Sequence, residues 1–429
     1  MFSDFIESFV KRKQIQNTYM KKILATSVML FSVSVAALAA NAYFIGSCDK
    51  DALGYKAGEK MKFSLRIQDD KGNIVEGQKF NWMRRGDDGI TKSGTAVSGK
   101  EPVVIEASID VPGFVRITAT PVDEDGKKAK GFDLFDGGAC ADFDKIVQIT
   151  PEPADFDAFW KRQLSYLDKV PMKCTSVEVF LVRGFRTYIL TLDCVGKPAK
   201  AYLTIPEGAK LKSLPLSVFF RGYGIGRIYP NFDRSCISLS VARHSYELGR
   251  SDGYYKKQAE TLRNFGMNAS ENKNPENSYF RDMLLRDIRA IQYAKTLPEW
   301  DGKNIKVSGG SMGAFQSIFA AMLDQDITYC DVFIPWLSNV NGEAEGRMKS
   351  ICLPEYVPAL LYYDISNAIK RVKCPVKISA RLGDYECPPS GIAVLFHNAK
   401  GRTILDFSQN GTHGYSSPWR GNPVYSRNK

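Results

Sequence analysis

Between residues 43 and 138, apolar and polar residues alternate in short runs separated by turn signals. The runs lie at residues 61–67, 80–82, 103–105 and 114–118. Alternation with period two predicts strands that bury one face, and the regular turns predict antiparallel pairing. No helical period interrupts this stretch. We therefore predict a small all-β sandwich of immunoglobulin type over residues 43–145.

The pattern changes after Pro151 and Pro153. A helical period predicts a helix over residues 155–170, and apolar runs of strand length then alternate with helical stretches. Strands are expected at residues 201–206, 216–220, 305–308, 376–382 and 403–407, and helices at residues 281–296 and 314–324. Such alternation is typical of a mostly parallel, doubly wound sheet with helices on both faces. We predict an α/β domain over residues 146–429.

The start of the chain has the pattern of an export signal. Lys21 and Lys22 precede an apolar stretch that ends in a run of small residues, with cleavage expected after Ala40 or Ala42. Residues 1–42 are therefore predicted to be an upstream extension and a signal peptide, and the mature protein to be secreted or periplasmic. A membrane-spanning helix is the alternative, but the stretch is short and rich in Ser and Ala, so no stable span is expected in the mature protein. Lipidation of Cys48 is a second alternative.

Composition narrows the classes of function. The formal net charge of +11 comes from 58 basic and 47 acidic residues, without a run of five or more Lys and Arg. Nucleic acid is therefore not an expected partner. Three histidines and no Cys-x-x-Cys spacing argue against a zinc or redox centre, and no cofactor or metal is expected. Among nine cysteines, Cys174–Cys194 and Cys48–Cys140 are candidate disulfides, and the odd number leaves at least one thiol free.

The segment Gly309-Gly310-Ser311-Met312-Gly313 lies between a predicted strand and a predicted helix. Gly-x-Ser-x-Gly in that setting is the nucleophile elbow of the α/β-hydrolase fold. Glycines are needed because the turn is sharp and the serine takes a strained conformation. The turn also points the hydroxyl at a helix amino terminus, whose partial positive charge favours an oxyanion. The sequence thus predicts an α/β-hydrolase with Ser311 as its nucleophile.

A serine hydroxyl needs a base to remove its proton, and the base needs an acid that orients it. In this fold the three follow in the order Ser, Asp, His, on loops after later strands. Of the three histidines only His413 fits, since it follows the last predicted strand. Asp384, just past the strand at residues 376–382, is the predicted acid. Glu386 is its local alternative.

Two backbone N–H groups are expected to form the oxyanion hole. One belongs to Met312, the residue after the nucleophile. The other is expected from the loop Arg221-Gly222-Tyr223-Gly224, which follows the strand at residues 216–220. Tyr223 is the predicted donor in that loop.

With these residues in place, the chain resembles the acetyl xylan esterase / cephalosporin C deacetylase family from about residue 151 to its end. The resemblance is carried by Phe156-Asp157-Ala158-Phe159-Trp160, Arg221-Gly222-Tyr223, Arg286-Asp287-Ile288-Arg289-Ala290, Gly309-Gly310-Ser311-Met312-Gly313, Asp384-Tyr385-Glu386-Cys387-Pro388-Pro389-Ser390 and His413. The Asp-x-x-Cys-Pro-Pro-Ser segment is its most specific part. The family implies a serine carboxylesterase that removes acetyl groups from sugar hydroxyls of acetylated carbohydrate, and often a ring-shaped homo-oligomer.

Two positions depart from the family's pattern. Members commonly carry Gln after the nucleophile and Glu after the histidine, where this chain has Met312 and Gly414. The departures bear on the identity of the substrate more than on the mechanism. An esterase or peptidase of the same fold with another acyl specificity is therefore an open alternative. A carbohydrate-binding protein with an inactive hydrolase domain is the alternative outside enzymes.

Overall fold

A computed structural model describes residues 42–429, so the predicted extension and signal peptide lie outside the described residues except for Ala42. Seven strands form two antiparallel sheets, ordered β1-β2-β5 and β4-β3-β6-β7. They are β1 (Ala42–Cys48), β2 (Met61–Asp69), β3 (Lys79–Gly86), β4 (Lys92–Val97), β5 (Val103–Ala107), β6 (Gly113–Pro121) and β7 (Phe135–Ala141). The four strands predicted from alternation are all present.

Aromatic side chains join the two sheets into one core. The Phe44 ring, from the three-stranded sheet, lies 5.2 Å from the Phe80 ring and 6.4 Å from the Phe135 ring of the other sheet, both edge-on. All three side chains are buried. Edge-to-face pairs of this kind stabilise a core beyond the area that they bury. The exact domain boundary at residue 145 stays a prediction.

The rest of the chain is built on one ten-stranded sheet, ordered β17-β16-β15-β14-β13-β11-β12-β10-β9-β8. Its strands are β8 (Cys174–Glu178), β9 (Phe185–Leu192), β10 (Ala199–Pro206), β11 (Leu214–Phe220), β12 (Ile237–Val241), β13 (Trp300–Gly310), β14 (Tyr329–Phe333), β15 (Val376–Arg381), β16 (Thr403–Ser408) and β17 (Val424–Asn428). The strands from β11 to β16 pair in parallel, and the flanking strands pair antiparallel. The chain leaves β11 toward β12 and later returns to its other side as β13. The carboxyl ends of β11 and β13 therefore meet where the strand order reverses, the usual ligand crevice of such sheets.

Helices connect the strands and pack on the sheet. They are α1 (Phe156–Asp168), α2 (Asp252–Leu262), α3 (Ala269–Asn272), α4 (Tyr279–Ala294), α5 (Met312–Leu323), α6 (Ile365–Ala368) and α7 (Pro389–Asn398), with short 3₁₀ turns at Phe143–Lys145, Pro275–Asn277, Pro358–Tyr362 and Ile369–Arg371. α5 is buried over almost its whole length, as its apolar sequence requires. Among residues 42–429, no helix combines the length and the apolar character that crossing a membrane would need.

The expectation of helices on both faces of the sheet is met only in part. Along β11 and from β13 to β16, one face is buried and the other is partly open. Phe219 is 46% exposed there, and Lys306 pairs with Asp331 at 2.7 Å on the same face. The physical reason is the connectivity, because the crossover from β11 to β12 holds no helix and the chain after β16 returns as strand β17.

Both candidate disulfides are wrong, since all nine cysteines carry free thiols. The register of the β8–β9 hairpin places Cys174 opposite Leu192, so Cys194 lies beyond the paired positions. The Cys48 thiol instead lies 3.9 Å from the Gly138 carbonyl oxygen, and the Cys140 thiol lies 3.5 Å from the Ala141 carbonyl oxygen. Cys48 also ends β1, which pairs with β2 over its whole length. Cleavage in front of Cys48, as lipidation requires, would remove that strand.

Candidate active site

Ser311 sits in the sharp turn between β13 and α5. Its backbone takes φ 56° and ψ −121°, a region that costs a non-glycine residue conformational energy. Its N–H donates to the carbonyl of Phe333 at 2.9 Å, which fixes the strained residue in place. A Cβ on Gly313 would lie 2.2 Å from the Phe220 carbonyl oxygen, so only glycine fits there. The predicted elbow is therefore present with the backbone that it requires.

The three predicted triad residues form one hydrogen-bonded chain. His413 Nε2 lies 3.0 Å from Ser311 Oγ, and His413 Nδ1 lies 2.9 Å from Asp384 Oδ2. Because a carboxylate only accepts, Nδ1 carries the proton and Nε2 is free to accept from the serine hydroxyl. This is the arrangement that lets an imidazole act as a general base toward a serine.

Asp384 is held from its other side by the backbone. The carboxylate is buried, and Oδ1 accepts the N–H groups of Glu386 and Cys387 at 3.0 and 3.1 Å. Glu386, the alternative acid, lies on the opposite side of the ring, with Oε2 3.8 Å from His413 Nε2. It therefore cannot bind the Nδ1 proton in this arrangement, and Asp384 is the residue placed to orient the imidazole.

The His413 loop is anchored by Arg381, the last residue of β15. Its guanidinium donates to the carbonyl oxygens of Thr412, His413 and Tyr415, the last at 2.8 Å. Burial alone would lower the pKa of His413, but the hydrogen bond and charge of Asp384, together with the charge of Glu386, raise it above its usual value. The base therefore loses its proton at a higher pH than an isolated histidine.

The loop after β11 lies against the nucleophile. A Cβ on Gly222 would come within 3.7 Å of Ser311 Cβ. Gln316 in α5 donates from Nε2 to the Arg221 carbonyl at 3.1 Å and thereby ties this loop to the elbow helix. Met312 is the first residue of α5, where backbone N–H groups lack a helical partner. Both predicted oxyanion donors, Tyr223 and Met312, thus belong to segments that border Ser311, and their role as donors stays a prediction.

The chain is similar to a known family of esterases. The model of the family acetyl xylan esterase (AXE1) matches residues 141–345, a stretch that contains Tyr223, Ser311 and Met312 and ends before Asp384. The resemblance to the acetyl xylan esterase family is confirmed. Acetyl esterase Axe7A of Xylanibacter ruminicola is 29% identical over 282 residues, 59% of this chain. The chain spans 61% of the length of that relative.

Two solved acetyl xylan esterases have the same fold. The enzyme from Paenibacillus sp. R4 superposes with a TM-score of 0.54 at 21% identity, covering 64% of this chain and 94% of its own. Acetyl xylan esterase 1 from Thermoanaerobacterium sp. JW/SL YS485 gives a TM-score of 0.52 at 20% identity, covering 65% and 93%. These structures confirm the predicted α/β-hydrolase fold.

His244 lies in the stretch matched to the acetyl xylan esterase family, and the sequence around it predicts no role in the site. It is fully buried, with Nδ1 2.7 Å from the Tyr279 hydroxyl and Nε2 3.1 Å from the Gly224 carbonyl oxygen. Burial lowers the pKa of His244 to about 3, so the ring is neutral. Because Gly224 ends the loop that carries Tyr223, His244 holds that loop in position. Its place upstream of the nucleophile gave no signal of this.

Asp384, Cys387 and His413 offer donor atoms within 4.8 Å of one another, which is close enough to hold a metal ion. A metal needs the thiolate and a free imidazole nitrogen. Burial raises the pKa of the Cys387 thiol well above its usual value. His413 Nδ1 and Asp384 already share a proton. The three side chains therefore fit a hydrogen-bonded triad better than a cation.

Proposed function

We propose that the protein is a serine carboxylesterase that removes O-acetyl groups from acetylated polysaccharides or oligosaccharides. The observation that carries the proposal is the unbroken chain from Ser311 through His413 to Asp384, with hydrogen bonds of 3.0 and 2.9 Å. Similarity to acetyl xylan esterases supports acetyl as the acyl group and xylan as one carbohydrate. The family resemblance adds cephalosporin C as a further candidate acetyl ester.

The geometry suggests how the reaction proceeds. Ser311 Oγ attacks the acetyl carbonyl carbon while His413 Nε2 takes the hydroxyl proton, and the N–H groups of Tyr223 and Met312 hold the oxyanion. The intermediate collapses as His413 returns that proton to the departing sugar oxygen, which leaves an acetylated serine. Water then attacks the acetyl group, with His413 again taking and returning one proton, and acetate departs. Asp384 orients the imidazole throughout.

A sugar ring as the substrate is supported by the surface next to Ser311. The Tyr223 side chain is 42% exposed, and its ring stacks on Phe265 with centroids 4.3 Å apart. A fixed aromatic face of this kind offers apolar contact to the C–H groups of a sugar.

The test compares wild-type protein with Ser311→Ala on p-nitrophenyl acetate and on acetylated xylan. We expect acetate release and fluorophosphonate labelling from wild type only, and acetyl esters to be cleaved much faster than butyryl or octanoyl esters. Equal turnover by Ser311→Ala would refute the nucleophile. A preference for longer acyl chains or for peptides would instead support the alternative hydrolase. An unreactive wild type would favour the inactive binding protein.

Export and assembly are parts of the same proposal. The basic start, the apolar stretch and the small residues before Tyr43 support a cleaved signal peptide. Mass spectrometry of protein from the periplasm or medium should then find an amino terminus at Asn41 or Tyr43. A cytosolic protein that keeps the segment from Lys21 to Ala40 would contradict this. The family resemblance also suggests a homo-oligomer, which sedimentation velocity would detect.

A further inference from the structure

The sandwich does more than precede the α/β domain, because its strand β7 packs directly against the two loops of the triad. All seven residues of β7 are buried, although only β6 pairs with this strand. Buried backbone groups on an unpaired strand edge need partners from elsewhere. At Asp136 and Gly138 the partners come from residues 409–411, which lead into His413, whereas Cys140 donates its N–H to the Ala52 carbonyl within the sandwich.

The side-chain amide of Gln409 bonds to the free edge of β7 in the way that the backbone of a neighbouring strand would. Its side-chain Oε1 accepts the Gly138 N–H at 2.8 Å, and its Nε2 donates to the Gly138 carbonyl at 3.0 Å. Gln409 is fully buried, so both bonds form away from water. A Cβ on Gly137 would lie 2.1 Å from Gln409 Oε1, and therefore the lack of a side chain at Gly137 is what allows this close approach.

The next residues extend the contact. Asn410 Oδ1 accepts the Asp136 N–H at 3.1 Å, and its Nδ2 donates to the Phe44 carbonyl in the other sheet at 3.1 Å. Gly411 donates its N–H to the Asp136 carbonyl at 2.9 Å. Three consecutive residues, ending two positions before His413, are thus bonded to the sandwich.

The acid loop is fixed at the same place. Gly383 donates its N–H to the Gly411 carbonyl at 3.1 Å, and a Cβ on Gly383 would lie 2.3 Å from the Asp136 carbonyl oxygen. Asp136 itself is held by a two-point ion pair with Arg116, at 2.8 and 2.6 Å. The Arg116 guanidinium also lies over the Tyr385 ring, 4.3 Å from its centroid. Residues on both sides of Asp384 therefore contact the sandwich.

We propose that the sandwich is a positioning element of the triad, whose strand β7 sets the distance between the Asp384 loop and the His413 loop. Gln409 and Asn410 are its positioning residues on the catalytic side. The proposal rests on the proposed function, because it assumes that Ser311, Asp384 and His413 carry out the reaction. Its physical basis is that small displacements of catalytic groups are costly, with about a hundredfold in rate for about 1 Å.

The test is Gln409→Met in the full chain, which keeps the side-chain length and removes both bonds to Gly138. Its matched control is Gln78→Met, because Gln78 Nε2 also makes two bonds to backbone carbonyls of the sandwich, each at 2.7 Å, but away from the triad. Turnover of p-nitrophenyl acetate is measured per active site titrated with a fluorophosphonate, so unfolded protein does not count. We expect Gln409→Met to lower kcat by about ten- to a hundredfold, with KM changed less than about twofold. Gln78→Met should keep the wild-type kcat.

A second variant covers the case in which Gln409→Met fails to fold. Asn410 has φ 43°, and Asn410→Gly keeps that conformation while removing both of its side-chain bonds to the sandwich. The same loss of kcat is expected. Wild-type kcat per active site in a folded Gln409→Met or Asn410→Gly would overturn the positioning role alone. A wild type that neither labels nor turns over would overturn this inference together with the proposed function.

Discussion

Replacing Asp384 by asparagine should remove most of the activity, because it forces His413 into the wrong tautomer. Oδ1 of Asp384 accepts two backbone N–H groups, whereas Oδ2 faces His413 Nδ1 at 2.9 Å. An asparagine must place its carbonyl at the Oδ1 position, since an NH₂ group there would meet two donors. Its NH₂ then faces Nδ1, which has to accept. The ring proton moves to Nε2, and the base can no longer take the proton of Ser311.

The expected loss of kcat follows from the wrong tautomer of His413. An Asp-to-Asn change that fixes the wrong tautomer in a Ser-His-Asp triad lowers kcat by about 10⁴, which is about 5.4 kcal/mol of activation free energy. Stability should change little, because the side-chain shape and both backbone bonds are kept. The variant thus separates catalysis from folding.

The assay is kcat/KM for p-nitrophenyl acetate, with the thermal midpoint measured in parallel. Glu386→Gln is the matched control, since it makes the same change of chemistry in the other nearby carboxylate. Glu386 is 39% exposed on its side chain, and its removal should cost less than about tenfold. The reasoning is refuted if Asp384→Asn keeps more than about a tenth of the wild-type rate, or if Glu386→Gln is the more damaging change.

Three further outcomes are expected. Gly313→Ala should destabilise the protein by about 1–3 kcal/mol and abolish fluorophosphonate labelling, whereas Gly310→Ala, whose Cβ would have no neighbour closer than 3.7 Å, should be tolerated in both measurements. The acidic limb of the pH profile of kcat/KM should lie at higher pH than for an ordinary histidine, since the raised pKa of His413 keeps the base protonated to higher pH. Glu386→Gln should move this limb to lower pH, because it removes a negative charge that raises the pKa of His413. An unmoved limb would contradict the role of His413 as the base. In the folded protein His244 stays neutral down to its pKa of about 3, whereas in the unfolded chain it is protonated near pH 6.5. The contribution of His244 to the free energy of unfolding should therefore be fully present above pH 6.5 and be lost as the pH falls from 6.5 to 3. Urea titrations should show a smaller fall for His244→Gln, and an identical fall would argue against the buried neutral ring.

Segments with a strong local pattern were predicted well from the sequence. α4 and α5 begin and end within two residues of the predicted helices, and the strands with uninterrupted apolar runs are present. A candidate triad could be predicted because the fold orders its members and only three histidines compete for one role, and the structure brings Ser311, His413 and Asp384 within hydrogen-bond distance. Local sequence is sufficient there to place each of these residues just after a strand, although it does not show which distant contacts hold the loops.

What the sequence did not predict depends on contacts between distant segments. β7 carries Gly137 and Gly138 in its middle, which indicates a turn rather than a strand, yet the lack of a side chain at Gly137 is what allows Gln409 to approach. The disulfide candidates failed for a related reason, because pairing depends on register and Cys174 lies opposite Leu192. The role of His244 likewise depends on the position of the Gly224 carbonyl in the folded protein. In each case the partner is far away in the chain, so local patterns carry no information about it.

At Met312, where the chain departs from the family pattern, the structure keeps the contact between the elbow helix and the loop that carries Tyr223. Met312 replaces an amide side chain, but it leaves the backbone N–H at the start of α5 unchanged. One helical turn later, on the same side of α5, the buried Gln316 bonds to the carbonyls of Arg221 and Met312 at 3.1 and 3.2 Å. An amide therefore still connects the elbow to the loop that carries Tyr223. Met312 therefore changes the side chain after the nucleophile without releasing the two segments that carry the predicted oxyanion donors. We expect this departure to affect the choice of substrate more than the mechanism.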